Sequence, residues 1–221
     1  MIVASGTLLA AGIIAMLVAL SDDNVDLPAE GSIDELVADA TSQPAINSPE
    51  EEATRIGPAP VRFVAPGLYI DAPVITETLD ADSIPRVPGR PDQVAWYDFS
   101  ASPGLGSNAV FMGHVDWQTR DRVPIPGVFY RLREMKIGDV IDVTLEDQTS
   151  LRYRVTGNVA ALYDDPNVVK AMNPTNRDVI TIVTCGGSWA GNRSTPNGGN
   201  YSHRIVVRAE RVLDAVGSAG G

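Results

Sequence analysis

From Pro60 onward the chain is a succession of short apolar runs cut by glycine and proline, and this punctuation restricts the fold more than any other feature. The runs are Val61 to Ala65, Leu68 to Val74, Asn108 to His114, Asp139 to Leu145, Leu151 to Leu162, Val179 to Cys185 and Arg204 to Val212. Their length and their richness in valine and isoleucine favour strands over helices. Many short strands joined by Gly/Pro turns, without an internal repeat, predict a closed or nearly closed β-barrel. Helical pieces are expected over Val128 to Met135 and over Pro166 to Met172, the latter entered through the acidic turn Asp164-Asp165.

Two of these runs end in residues that carry chemistry. Val179 to Thr184 delivers the single cysteine, Cys185, to a turn expected at Gly186 and Gly187. Arg204 stands at the mouth of the following run, which places a thiol and a guanidinium at neighbouring strand ends. An ordinary cysteine, with a pKa near ~8.5, needs a base or a depressed pKa to attack a carbonyl at neutral pH. The chain has two histidines. His114 ends an apolar run just after Gly113, at a strand-to-loop junction like that of Cys185. His203 directly precedes Arg204, and strand alternation points it to the other face. His114 is therefore the expected partner of the thiol. Arg204 supplies a permanently charged fork of donors where a carbonyl oxygen turns anionic.

Each assignment has a plainer rival. A free cysteine is among the most buried residue types and often acts as a small hydrophobe. Arg204 alone would pair with an acid such as Asp116 or Glu210. Asp116 either orients His114 as a third catalytic member or closes its own loop by a hydrogen bond, and the sequence leaves both readings open. Thr184, Trp189 and Asp116 are the candidate substrate contacts, Trp189 as an apolar wall in the polar stretch from Ser188 to Asn200.

Composition narrows the classes further. One cysteine excludes an intramolecular disulfide and a cysteine-rich zinc site, and no metal or cofactor is expected. The net charge of −11 is uneven along the chain. Residues 21 to 57 hold ten acids and one base, Arg55, whereas residues 58 to 221 hold eighteen acids and sixteen bases. A nearly neutral globular part without basic clusters argues against nucleic-acid binding.

Ile2 to Leu20 is uncharged and apolar over nineteen residues, long enough to cross the ~30 Å hydrocarbon core. A retained anchor with its N-terminus in the cytoplasm is expected; a cleaved signal peptide fits less well, because removal after Ala19 would put Leu17 where a small residue is preferred. The division is then 1–20 anchor or signal segment, 21–57 acidic flexible linker, 58–214 catalytic domain and 215–221 flexible tail. Within the linker, Ser32 and Glu35 form a capping box ahead of Ile33, Leu36, Val37 and Ala40 on one helical face. A transient helix suits so short a segment better than a docked one.

These residues together resemble the sortases, the cysteine transpeptidases of bacterial cell envelopes. The resemblance rests on GHVDW around His114, on Thr181-Ile182-Val183-Thr184-Cys185 and on Arg204 nineteen residues after the cysteine. The stretches PVRFVAPGLYIDAPV, VPGRPDQVAWYDFSASPGLGSNAV and GVFYRLREMKIGDVIDV follow in the same order, so the likeness covers Pro60 to Val212. VPGRPDQVAWY and the compact loops are most similar to classes E and F. The resemblance implies an eight-stranded barrel and a membrane-anchored, extracellular enzyme that cleaves an LPxTG- or LAxTG-like sorting signal through a thioester on Cys185. It implies sorting-signal-bearing surface proteins as donors, and a peptidoglycan precursor or pilin amine as acceptor. A hydrolase releasing to water and an anchored binding ectodomain with an inert thiol are the rivals. An L,D-transpeptidase fits less well, because its compact histidine-to-cysteine motif is absent.

Overall fold

The computed structural model describes residues 27–28, 32–38, 40, 57–121, 123–191 and 199–213. Ile2 to Leu20, expected as an anchor, lies outside the described residues, as do 215–221 and most of the acidic linker. Among the described residues no helix is long and apolar enough to cross a membrane.

Eight strands close into a barrel. In chain order they are β1 (Pro60–Ala65), β2 (Ile70–Glu77), β3 (Val94–Tyr97), β4 (Asn108–Gly113), β7 (Val140–Leu145), β8 (Ser150–Leu162), β9 (Val179–Gly191) and β10 (Gly199–Arg211). The remaining two, β5 (Asp116–Gln118) and β6 (Pro124–Pro126), form a separate antiparallel ribbon. Around the barrel the order is β1-β2-β3-β4-β9-β10-β8-β7, with β2–β3 and β4–β9 parallel and the other pairings described antiparallel.

Alternation sorts the side chains into two layers. Phe63, Phe111, Ile180, Ile182, Ile205 and Val207 point inward and form one cluster with Phe129. The Phe63 ring meets those of Phe111 and Phe129 at 5.6 and 5.7 Å, in the tilted and edge-on arrangements aromatic quadrupoles prefer. Val159, Val183 and Val206 point outward and pack under α2 (Pro166–Lys170) and its flank. The barrel is thus buried on both faces along β9 and β10, which is why their sequences read as continuous apolar runs.

The helical expectations hold in reduced form: the first is a single 3-10 turn, Leu132–Glu134, and the second is α2. Residues Pro66–Leu68, assigned in part to a strand by pattern, make another 3-10 turn. β3 was not marked by the sequence pattern, because all four of its residues are buried and show no alternation.

The segment after Ser32 is docked rather than transient. α1 (Ile33–Val37) is capped by the Ser32 hydroxyl, which accepts from the Asp34 amide at 3.3 Å. Leu36 is buried against the outer cluster, worth on the order of 2 kcal/mol. It approaches β8 where Gly157 leaves room: a Cβ there would stand 2.5 Å from Leu36 Cδ2. Arg208, only 2% exposed, donates from Nη2 to the carbonyls of Leu36 (2.9 Å) and Ala171 (3.0 Å). A buried cation so placed meets the negative ends of α1 and α2 together. The short helix gains from tertiary packing what its length denies it.

Candidate active site

β9 and β10 pair in register with Cys185 opposite Arg204. Directly opposed residues share a face, so thiol and guanidinium both leave the barrel outward, on the side of Val183 and Val206. β4 runs parallel to β9 with Met112 against Val183, and the Thr184 hydroxyl donates to the Gly113 carbonyl at 2.8 Å. His114 and Cys185 are the next residues along the chain after the two ends of this contact. All three expected residues line a single groove of ≈ 610 Å³, walled also by Val87, Pro88, Tyr163, Val169, Met172 and Trp189.

The turn expected at Gly186-Gly187 is not a turn. β9 continues to Gly191, and the register slips by one residue between Tyr201 and His203, which leaves an extra residue on β9. This β-bulge falls just past Cys185. Gly187 holds φ +77°, and a Cβ there would lie 2.2 Å from Ser202 Oγ and 2.6 Å from His203 Nδ1, so only glycine fits. The extended hairpin carries Trp189 and Tyr201, whose rings meet edge-on at 5.1 Å. Trp189 thus walls the groove from a strand instead of from a loop.

His114 Nε2 lies 2.7 Å from the Pro88 carbonyl oxygen, and the ring packs edge-on against Trp117 at 4.8 Å. When Nε2 carries the proton it donates to that carbonyl, which fixes the ring and leaves Nδ1 as the basic atom. Asp116 Oδ2 takes the Tyr201 hydroxyl and so ties β5 to β10. This bond runs from β5 to β10 and is neither of the two roles the sequence left open for Asp116, orienting His114 or closing its own loop. Thr184 is 4% exposed with its hydroxyl committed to Gly113, which makes it a positioning residue between β4 and β9.

Arg204 donates from Nη1 to the carbonyls of His203 (3.0 Å) and Tyr201 (3.4 Å) and from Nη2 to Asn200 Oδ1 (3.0 Å). Its guanidinium lies 6.0 Å from the centre of the Tyr163 ring. The acid partners open to it in the sequence have other partners: Glu210 takes Arg177 at 3.0 Å and Asp116 takes Tyr201. Neutral acceptors orient the guanidinium without cancelling its charge.

Burial pushes the Cys185 thiol up from its ordinary value. The positive Arg204 opposes this shift and the carboxylate of Asp116 adds to it. The resting thiol is protonated at neutral pH, and attack requires the proton to leave as the bond forms. His203, whose Nδ1 lies 2.8 Å from Ser202 Oγ, is absent from the groove. Sequence reasoning missed the Pro88 carbonyl, Tyr163 and Met172: Tyr163 follows β8 and Met172 follows α2, and no local pattern says that these element ends reach the groove.

A strand-borne thiol, a guanidinium opposite it and an imidazole one strand away, all on the outer face of a closed barrel, make a centre suited to cysteine acyl transfer. A model of the sortase domain matches residues 64–212, and the chain belongs to the sortase family. The family and the fold imply cysteine transpeptidase activity. Among solved structures the chain is similar to a lid mutant of sortase A from Corynebacterium diphtheriae, at 22% identity over 84% of this chain and 92% of that one, with a TM-score of 0.50. It is also similar to sortase C-1 from Actinomyces oris (23% identity, 80% and 86% covered, TM-score 0.47). A sortase D5 transpeptidase from Clostridium perfringens aligns at 18% identity, 76% and 91% covered, TM-score 0.47. No curated protein matches the chain.

Proposed function

We propose that the chain is a membrane-anchored class E- or F-like sortase, with its barrel outside the cell, that cleaves an LPxTG- or LAxTG-like sorting signal and transfers the acyl group to a cell-wall or pilin amine. The observation that carries this reading is the cross-strand pair Cys185–Arg204 with His114 on the same groove. Cys185 Sγ attacks the carbonyl carbon of the signal's threonine, and the thiol proton passes to His114. The tetrahedral oxyanion is stabilised by Arg204, whose Nε–H and second Nη2–H are uncommitted among the described residues. Collapse breaks the Thr–Gly bond, His114 returns its proton to the leaving glycine amine, and a thioester remains on Cys185. An acceptor amine then attacks the thioester, giving a proton to His114; collapse breaks the C–S bond, His114 returns that proton to the Cys185 sulfur, and the new amide departs with the thiol regenerated.

The apolar groove, walled by prolines, aromatics and Met172, suits the Leu-Pro part of such a signal. The test is incubation of the full chain with a panel of quenched sorting peptides, with and without triglycine, followed by mass spectrometry. A peptide cleaved between Thr and Gly, with triglycine captured on the new C-terminus, is the expected product. Cleavage with release only to water would identify a hydrolase, and no cleavage of any peptide would overturn the reading.

A further inference from the structure

The first half of β2 is paired on one side only. Ile70 to Pro73 pairs with β1 and Val74 to Glu77 pairs with β3, so the first four residues leave an open edge on the β3 side. On that side the Asp98 amide donates to the Glu77 carbonyl at 3.1 Å. Counting back in twos along the strand, the amide and carbonyl of Asp71 face the same way. Pro73 fits this register, because a residue turned from β1 owes that strand no N–H. Among the described residues no backbone group closes the edge at Asp71. The chain ahead of β3 is held elsewhere, since the Pro91 carbonyl takes the Val128 amide at 2.7 Å.

The edge opens on a groove of ≈ 660 Å³ that shares no lining residue with the groove at Cys185. Ile125 and Pro126 of β6 form another wall, and β6 pairs with β5 alone. The Gly127 amide donates to Val115 and the Val123 carbonyl accepts from Thr119, so the intervening Pro126 turns its carbonyl away from β5. Tyr69, 88% exposed at φ +57°, stands beside Asp71 with the Arg131 guanidinium 5.6 Å from its ring. A tyrosine in left-handed backbone and in solvent gains little from the barrel, but it gives an incoming chain an aromatic face.

An amide and a carbonyl on one strand edge are the partners that another strand residue satisfies, so the matching ligand is extended polypeptide. Charge narrows it further. The charged residues on the walls are Asp71, Asp92 and Arg131, and Arg62, Arg90 and Glu134 hold them at 2.6 Å each. A charged side chain entering the groove would lose water and find its counter-ions already matched. We infer that the groove docks an extended, uncharged segment of a partner protein, which adds to β2 as a strand at Asp71. Docking needs no turnover, so its failure leaves the transpeptidase reading untouched.

The experiment uses the full chain and three capped heptapeptides: alternating Thr and Val, the same with Lys in place of Thr, and the first with a central Pro. Binding is followed by fluorescence anisotropy and amide exchange by NMR. The Thr/Val peptide is expected to bind above the other two and to slow exchange at Asp71 by about tenfold or more, leaving Ala72, whose amide faces β1, unchanged. Asp71→Pro deletes the amide and should bind about fivefold more weakly, the loss of one backbone hydrogen bond, while Asp71→Ala stays near wild type. If Asp71→Pro does not fold, exchange in the wild type decides. No binding, binding without protection of Asp71, or equal binding of the Lys or Pro peptide overturns the inference. Protection of Asp71 that grows with protein concentration without peptide would identify a second copy of this chain as the occupant, and overturns the partner assignment.

Discussion

Cys185 and Arg204 are cross-strand partners on β9 and β10, so the spacing between thiol and guanidinium is set by the backbone ladder and not by flexible loops. Arg204 is held further by three neutral oxygens. Replacing Arg204 by Lys keeps the charge but loses the planar fork. Loss of an oxyanion donor lowers turnover by ~10² to 10³, about 3–4 kcal/mol. Arg204→Lys is expected to show this mainly in kcat with little change in Tm. A stable variant with unchanged kcat would remove Arg204 from the chemistry.

Cys185→Ala is expected to abolish peptide cleavage with the barrel intact, checked by circular dichroism beside the peptide assay. His114→Ala should be nearly as damaging, while His203→Ala, on the opposite face beside Ser202, should keep most activity. Equal losses at the two histidines would contradict the face assignment.

The thiol's raised pKa fixes the sign of its pH dependence. Burial is the largest cause, so iodoacetamide labelling of the folded protein should rise with a midpoint above the ordinary ~8.5. Removing Arg204 should move the midpoint further up, and Asp116→Asn should move it down. Because the folded pKa lies above the unfolded one, the folded state disfavours the thiolate. Wild type should accordingly lose stability relative to Cys185→Ala as pH rises past the unfolded value, and not below it. Tm measured for both proteins from pH 7 to 10 checks this.

Gly187→Ala tests the bulge. A side chain at φ +77° is strained, and it would also collide with Ser202 and His203. The expected result is a loss of about 1–3 kcal/mol in stability and a larger proportional loss of activity than of Tm, because the register beyond Cys185 is disturbed. Chemical denaturation and peptide cleavage on the same preparation separate the two.

Arg208→Met tests the docking of α1. It removes the shared donor and leaves the Leu36 and Ala171 carbonyls without it. The cost should be about 2–3 kcal/mol, or roughly 5–10 °C in Tm. Amide exchange near Leu36 should accelerate more than exchange in β1 or β7.

The sequence by itself determined the barrel's principal strands and the identity of the thiol, imidazole and guanidinium. Apolar runs of strand length are a local signal, and each of these three residues ends or begins one, so their placement at strand ends follows from pattern alone. The family likeness covered the same stretch. Only the tertiary structure decided what depended on residues distant in the chain. That Cys185 faces Arg204 depends on hairpin register, and a bulge at Gly187 shifts register by one residue without altering the apolar pattern before it. The expected Gly-Gly turn was wrong for that reason, since a positive-φ glycine serves a bulge as well as a turn. β3 was illegible because a short strand buried on both sides shows no alternation. The fate of Ser32 to Val37 depended on Gly157 and Arg208, more than a hundred residues away: a five-residue helix cannot hold itself, and it is the gap at one and the buried charge of the other that hold it.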